Sequence, residues 1–183
     1  MARALGMSHA NVYRHFASKA ALRDAVAARW LHSISAPLAP IAAGTESAAD
    51  RLRAWVLALA EAKRRKIHDD PELFATYHAV AEQARDVVTE HVAILHAQLA
   101  RILRDGMANH EFAAADADAM AAAVFDATLR FHRPQHVRET AGRNIEPDAR
   151  RVVALLLAGL RAGAVGEFSA CMQLPRASTS LLR

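Results

Sequence analysis

Residues 9–15 bring together side chains that could recognise a nucleic acid. His9, Ala10 and Asn11 are small or polar, and a helix that enters the major groove needs such side chains at its N-terminus to reach base edges. Asn can pair with adenine through two hydrogen bonds, and His can donate to or accept from a guanine edge. The residue types in this segment therefore permit base recognition.

The charge of the chain is concentrated around the same segment. Residues 1–33 contain five basic side chains and one acidic side chain, whereas the remaining residues hold 18 of each sign. A basic excess confined to one short end is typical of contact with a polyanion, most often nucleic acid. On charge alone, a chance cluster on a solvated helical face explains the excess equally well.

Local signals indicate which elements position these side chains. Gly6 ends a first helical stretch, Ser8 offers a cap, and residues 11–16 continue as a short helix. Ser18 then caps a longer helix whose apolar stripe includes Trp30. The first 33 residues are therefore predicted to form a helix, a tight turn, a short helix and a longer helix.

Beyond a break marked by Pro37, Pro40 and Gly44, the pattern remains helical. The sequence predicts a helix with an apolar face that ends in the basic run 63–66, and then a short helix over 73–80. A long helix follows from Val88, and Gly106 closes it. A further helix begins at Asp116 and ends at Pro134, and the final helix has Pro147 in its first turn. The run 63–66 complements the helix dipole, with phosphate contact as the weaker alternative. The apolar stretch 152–160 of the final helix should be buried from several directions.

The composition supports an all-α fold and excludes several classes of protein. Ala accounts for 44 of 183 residues while Gly and Pro are scarce, which favours helices, although a GC-rich coding sequence would also raise the Ala content. A hydrophobic content of 53% argues against disorder. No apolar run is long enough to span a bilayer, no secretory signal is present, and the single cysteine fits a reducing compartment. We therefore expect a cytoplasmic protein that does not contact membranes.

Neither a metal site nor an enzyme is expected. His91 and His96 are about 140° apart on a helix, and His132 and His136 flank Pro134, so neither pair has the facing geometry of a metal-binding helix. The sequence contains no Gly-rich phosphate loop, no nucleophile elbow and no cysteine with a nearby histidine. No cofactor is expected.

The segment LGMSHANVYRHFASKAALRDAV, residues 5–26, resembles the helix-turn-helix of the TetR family of bacterial transcriptional regulators. In order, it is similar to the end of the second helix, the turn, the recognition helix and the start of the fourth helix of that family. The resemblance implies a palindromic double-stranded DNA operator, with Tyr13 and Lys19 at positions that grip phosphates. The implied DNA-binding residues are Ser8, His9, Ala10, Asn11, Tyr13, Arg14, His15 and Lys19.

The resemblance is incomplete at its beginning. Family members have a complete first helix before this segment, whereas this chain starts at Met1, inside what should be the second helix. Without that helix, the apolar sides of Val12, Phe16 and Leu22 would be partly bare. We therefore expect residues 1–34 to be a truncated helix-turn-helix domain and the natural product to begin upstream.

Residues 35–168 resemble the family in architecture only, which implies a helical regulatory and dimerisation domain, followed by a disordered tail over 169–183. The implied function is a repressor that a small, largely apolar effector releases from its operator. The alternative is a ligand-binding helical dimer that does not bind DNA in this form. The candidate pocket residues, each also compatible with ordinary core, are Trp55, Phe74, Tyr77, His78, Phe125 and His132.

A homodimer is expected through the helices near 116–133 and 148–163. Leucines would supply apolar burial there, and two glycines four residues apart would let two helices approach closely. The candidate interface residues are Val124, Leu156, Gly159, Leu160 and Gly163.

Overall fold

The computed structural model of the protein describes residues 16–69, 71–140 and 142–163. Those residues form α-helices and one 3-10 turn, Ala36–Leu38, with no β-strand among them, and this confirms the all-α fold class. In chain order the helices are α1 (Lys19–Ser35), α2 (Ala39–Ala42), α3 (Ala48–Asp69), α4 (Pro71–Gln83), α5 (Arg85–Ala108), α6 (Ala117–Ala127), α7 (Leu129–His132), α8 (Pro134–Glu139) and α9 (Glu146–Ala162). The tail predicted over residues 169–183 lies outside the described residues.

Helix α1 begins at a local cap and ends in the core. The Ser18 Oγ accepts a hydrogen bond from the Ala21 N–H at 3.0 Å, which confirms the predicted cap. The second half of the helix buries Trp30, Leu31 and Ile34 in the same hydrophobic core as the helices that follow. The N-terminal segment is therefore joined to the core by one continuous helix.

The predicted break after α1 consists of two short helical turns. Pro37 lies at the start of the 3-10 turn and Pro40 at the start of α2. Proline is tolerated at these positions because the first N–H groups of a helix have no partner within it. The chain changes direction here without leaving the core, since Leu38 and Ala42 are both buried.

The first backbone N–H groups of α3 donate hydrogen bonds to side chains from two different parts of the chain. The Ser47 Oγ accepts from the Asp50 N–H at 3.1 Å, which is a local cap. The Glu111 carboxylate, from the loop after α5, accepts from the Ala48 N–H at 2.9 Å and from the Ala49 N–H at 3.1 Å. The negative charge also suits the positive end of the helix dipole.

Helix α3 runs through the middle of the core. Leu52, Trp55 and Leu59 form its buried face, as their spacing predicts. The helix packs against α4, α5, α8 and α9. Burial of each such side chain contributes about 1.5–3 kcal/mol relative to exposure, so this face fixes the position of every residue carried by α3.

The prediction that Gly106 closes the long helix is wrong. Helix α5 continues to Ala108, and the chain turns at His110, whose φ is 58°. Gly106 is buried inside the helix, where a Cβ would lie 2.3 Å from Phe112 Cδ2 and 2.8 Å from Ala48 Cβ. The glycine is needed for close packing rather than for a left-handed turn.

The helix predicted from Asp116 to Pro134 is interrupted. Its start is confirmed, because the Asp116 carboxylate accepts from the Asp118 and Ala119 N–H groups. At Thr128 the hydroxyl donates to the Val124 and Phe125 carbonyls at 2.8 and 3.1 Å, and the chain restarts as α7. Helix α7 ends at His132, two residues before Pro134, and Pro134 then begins α8, since proline is well suited to a first turn.

Helix α9 has Pro147 in its first turn, as predicted. One stripe of the helix, including Val153 and Leu157, is buried against the core. The opposite side holds Leu155, which is 74% exposed, so the described residues bury the apolar stretch from one direction only. Within the described part of the chain, no helix combines the length and apolar character needed to cross a membrane.

Candidate functional site

Most of the residues predicted to contact DNA lie outside the described part of the chain. These residues are Ser8, His9, Ala10, Asn11, Tyr13, Arg14 and His15. Lys19 is described: it is exposed in the first turn of α1, where free backbone N–H groups favour an anion.

The predicted pocket residues on α4 gather around α1. The Trp30 ring stacks on Tyr77 with a centroid distance of 5.5 Å and meets the edge of Phe74 at 5.8 Å. His78 stacks on Phe74 at 6.0 Å. These rings form an aromatic group between α1 and α4, and Trp30, which the pocket prediction omitted, is at its centre.

A second aromatic group lies where α6 and α7 meet α5. Phe125 contacts His132 at a centroid distance of 4.5 Å and His96 at 4.7 Å. The remaining predicted pocket residue, Trp55, is fully buried, and its Nε1–H donates to the Gln98 Oε1 at 2.9 Å. The structure therefore divides the predicted pocket residues between two aromatic groups and one core tryptophan.

Lys63 lies in the core beside the first aromatic group. Only 7% of the residue is exposed, and its Nζ is 6.0 Å from the centre of the Trp30 ring. Burial lowers the pKa of Lys63 to about 8, and no carboxylate among the described residues opposes that effect. The amine is still mostly charged at neutral pH, and the Trp30 ring offers it a cation–π contact.

His91, on α5, is a second buried polar side chain. It is 6% exposed, and neither of its ring nitrogens has a hydrogen-bond partner among the described residues. Burial, together with the positive charge of Lys63, lowers the pKa of His91 to about 4. The imidazole is therefore neutral at pH 7, with one donor and one acceptor unused.

His132 is also buried, but its ring has hydrogen-bond partners. Its Nε2 lies 3.2 Å from the Phe125 carbonyl oxygen and 3.4 Å from the Thr128 Oγ1. Burial lowers the pKa of His132 to about 4, although the bond to Phe125 opposes the shift, and the charge of Lys63 contributes to the lowering. Lys63 thus acts electrostatically on histidines of both α5 and α7, and we refer to Lys63, His91 and His132 as the basic cluster.

A groove of about 330 Å³ runs between α1 and α5, with His91 in its wall. Leu31, Val87 and Ile94 are apolar parts of its lining. The complete lining is Ala28, Arg29, Leu31, His32, Ser35, Val87, Glu90, His91 and Ile94. Its volume is near the lower end of the range found for small-molecule sites, about 300–1,000 Å³.

A larger groove of about 780 Å³ separates α3 from the start of α9. Four of the charged residues in its lining form two ion pairs: Glu61 with Arg64 at 2.9 Å, and Glu146 with Arg150 at 2.6 Å. The hydrogen bond from Arg64 lowers the pKa of Glu61. Such exposed pairs contribute little and leave no buried group to orient a ligand.

The predicted dimer residues occupy different environments. Val124 and Leu160 are buried within the chain itself, whereas Leu156 and Gly159 are half-buried on α9. Gly163 ends α9 in the left-handed conformation, with φ of 74°. A Cβ on Gly159 would meet nothing within 4 Å among the described residues, which leaves that part of α9 open to a partner within this range of the chain.

The sequence interpretation missed Lys63 and His91, although a signal for both was present. Lys63 falls four residues after Leu59 and four before Ile67, on the buried stripe of α3. His91 likewise falls four residues before Leu95 on α5. Assigning Lys63 to the helix dipole was wrong, since α3 continues to Asp69 and dipole effects are confined to the last turn.

The histidines do not assemble a metal site in the part of the chain that the structure describes. No group of three or more His, Cys, Asp or Glu side chains could hold an ion there. The candidate functional site is therefore the basic cluster with its aromatic neighbours and the adjacent groove.

Comparison with known proteins identifies the domain that contains this site. Residues 48–153, more than half of the chain, match the family described as Tetracyclin repressor-like, C-terminal domain. The match begins at the first residue of α3 and ends within α9, so it includes all three residues of the basic cluster. Searches of the curated proteins and of the solved structures gave no match.

Proposed function

Because the chain belongs to the TetR family of transcriptional regulators, we propose that it is a cytoplasmic DNA-binding repressor, not an enzyme, that a small, largely apolar effector releases from its operator. The observation that carries this proposal is the match of residues 48–153 to the family. The effector would bind in the matched helical domain, and residues 1–34 would contact the DNA.

The charge distribution supports the DNA contact. The chain is neutral apart from the excess of basic side chains in residues 1–33, which is the part that resembles a helix-turn-helix. In this proposal Asn11 and His9 contact base edges, and Lys19, exposed at the N-terminus of α1, contacts a phosphate. A palindromic operator would match two copies of this segment related by a two-fold axis.

The packing of α1 supports a route from effector to DNA. Trp30, in the second half of α1, contacts Phe74, Tyr77 and Lys63 of the helical domain. A ligand that changes this packing shifts the equilibrium position of α1, and Lys19 is carried by the same helix. The effector and the operator would then oppose each other through one rigid element.

The outer side of α9 supports a homodimer. Leu155 is exposed, and Leu156 and Gly159 are half-buried beside it. An exposed leucine next to an unobstructed glycine permits close approach of the same helix from a second copy, in an isologous interface. Val124 and Leu160, which are buried within the chain, would pack beneath this surface.

The test is a gel shift with the purified chain and the DNA upstream of its own gene. The proposal expects a discrete complex that resists competition by unrelated DNA and dissociates when an effector is added. A chain that dimerises and binds a small molecule, but shifts no DNA at any salt concentration, would instead support the alternative of a ligand-binding helical dimer.

A further inference from the structure

The His91 side chain is buried, and its ring makes no hydrogen bond with any described residue. The residue is 6% exposed, and neither of its ring nitrogens has a partner in that part of the chain. A buried donor or acceptor without a partner opposes folding. The ring is therefore suited to a hydrogen-bonding partner that comes from outside the chain.

His91 lies in the wall of the groove of about 330 Å³ between α1 and α5. Leu31, Val87 and Ile94 supply apolar surface in the same wall. Ser35, the other buried polar residue of the lining, is already paired, because its Oγ donates to the Leu31 carbonyl at 3.4 Å. Within this lining, the ring of His91 is thus the buried group that still offers a polar contact.

The charged residues of the lining are exposed. Arg29 and Glu90 have opposite charges, so together they add no net charge to the groove, and His32 is exposed beside them on α1. Water and salt screen such exposed charges. Burial lowers the pKa of His91 to about 4, so its ring is neutral at pH 7. The buried part of the groove therefore offers hydrogen bonds rather than a charge.

We propose that the groove between α1 and α5 binds a neutral organic molecule that has an apolar body and a hydroxyl group, such as a phenol, and that this hydroxyl forms a hydrogen bond with a ring nitrogen of His91. The inference rests on the proposed function, because it specifies the effector of that regulator. A hydroxyl both donates and accepts, so it fits either nitrogen of a neutral imidazole, whichever one carries the proton. The apolar body would contact Leu31, Val87 and Ile94.

Other ligand classes fit this groove less well. A carboxylate can only accept hydrogen bonds, and a neutral ring offers no charge to offset the desolvation of an anion. A hydrocarbon without a polar group would leave the ring of His91 unpaired. The volume of the groove favours a small molecule, since it lies near the lower end of the range for ligand sites.

Binding at His91 would also act on α1. Both ring nitrogens are buried, so a hydroxyl reaches one of them only when α1 and α5 separate slightly. Because α1 packs directly against α5, a bound ligand would stabilise a wider arrangement of these two helices. The ligand would thereby change the position of the helix that carries Lys19.

The test compares 4-propylphenol with propylbenzene by isothermal titration calorimetry on the purified chain at pH 7. The two probes differ only in the hydroxyl, which stays protonated because the pKa of a phenol is about 10. Wild type should bind 4-propylphenol about three- to tenfold more tightly than propylbenzene, which is the usual effect of one hydrogen bond. His91→Leu should fold, since it removes an unpaired buried polar group, and should bind the two probes equally.

Further variants test the location of the site. His68→Leu replaces an exposed histidine of α3 that does not line this groove, so it should keep the preference for the phenol. Ile94→Trp fills the groove from its exposed side and should abolish the binding of both probes. Wild type should bind 4-propylbenzoate less tightly than the phenol.

Four results would overturn the proposal. They are a wild type without the preference for the phenol, a His91→Leu variant that keeps it, unchanged binding of both probes by Ile94→Trp, and tighter binding of the benzoate that Arg29→Gln removes. The last result would instead indicate an anion held by the exposed arginine.

The same measurements distinguish failure of this inference from failure of the proposed function. A chain that prefers the phenol through His91 but binds no DNA would retain the hydroxyl site and lose the regulator. A chain that binds its operator but has no preference for the phenol would retain the regulator and lose the hydroxyl site.

Discussion

The Nζ of Lys63 on α3 lies 6.0 Å from the centre of the Trp30 ring on α1. This contact joins a buried charge of the helical domain to the helix that leads back to the basic N-terminal segment. A change in the charge or the partner of Lys63 therefore acts on α1 directly, without an intervening element.

Removing the Lys63 charge should stabilise the protein. The pKa falls from 10.5 in the unfolded chain to about 8 in the fold, so the charged form opposes folding at pH 7 by up to about 3 kcal/mol. Lys63→Met should raise the free energy of unfolding by about 1–3 kcal/mol in urea titrations at pH 7. The exposed Lys66→Met variant should show no such gain.

The same shift predicts an alkaline signature. Between pH 8 and 10.5 the unfolded chain holds a proton that folded Lys63 has released, so the free energy of unfolding should rise with pH in this window. Lys63→Met should lack the rise, and Lys66→Met should keep it. Identical slopes in the two variants would contradict burial of the Lys63 amine.

The buried histidines predict a loss of stability in acid. His91 and His132 have a pKa of about 4 in the fold and 6.5 in the unfolded chain, so the unfolded state gains protons first as the pH falls. The free energy of unfolding should fall between pH 6.5 and 4, by up to about 3 kcal/mol per histidine. Thermal unfolding across this range should show a smaller fall in His91→Leu, whereas the exposed His68→Gln should behave like wild type.

A methyl group at Gly106 should be poorly tolerated. It would lie 2.3 Å from Phe112 and 2.8 Å from Ala48, so Gly106→Ala should lower the free energy of unfolding by about 1–3 kcal/mol. Gly142→Ala is the matched control, since a Cβ there meets no described residue within 4 Å. Equal urea midpoints for the two variants would contradict the packing around Gly106.

The outer side of α9 should control oligomerisation. Gly159→Arg introduces a bulky charge where no described residue obstructs it, so the monomer should fold and the dimer should dissociate. Sedimentation velocity at micromolar concentration would measure this, with Ala43→Arg as an exposed control on another surface. A wild-type protein that sediments as a stable monomer would refute the proposed homodimer.

Two substitutions in the N-terminal segment should have different effects on DNA binding. Lys19→Ala should weaken binding to all sequences and lower the slope of log K against log salt by about one. Asn11→Ala should cost about 1–3 kcal/mol on the preferred sequence and relax the preference for it. Fluorescence anisotropy at several salt concentrations distinguishes the two variants. If Asn11→Ala lost equal affinity for specific and for unrelated DNA, Asn11 would not recognise a base.

The parts of the fold that depend on local chemistry could be predicted from the sequence. Ser18 and Asp116 cap their helices, and Pro147 occupies a first turn, because each of these preferences depends on a few neighbouring backbone groups. The buried face of α3 follows in the same way from the spacing of Leu52 and Trp55.

The remaining features depend on contacts that the local pattern does not contain. Glycine is typical of the position just past a helix end, which predicts that α5 stops at Gly106. The contact with Phe112, which approaches from the following loop, cannot be inferred from sequence spacing. The break at Thr128 depends on a hydroxyl that bonds back to its own helix, and threonine is not a strong helix breaker. The charge of the run 63–66 groups Lys63 with its basic neighbours, whereas its register on α3 places it on the buried side of the helix.

The cap that Glu111 supplies to α3 has a consequence for the newly made chain. The carboxylate is separated from Ala48 by 63 residues and from Ala49 by 62, so both N–H groups remain without it until α3, α4 and α5 have been synthesised. At about 5–20 residues per second, a ribosome needs on the order of 3–13 s to cover that distance. Throughout this interval Ser47 alone can hold the first turn of α3, and the central helix of the domain is completed only when the loop that follows α5 has left the ribosome.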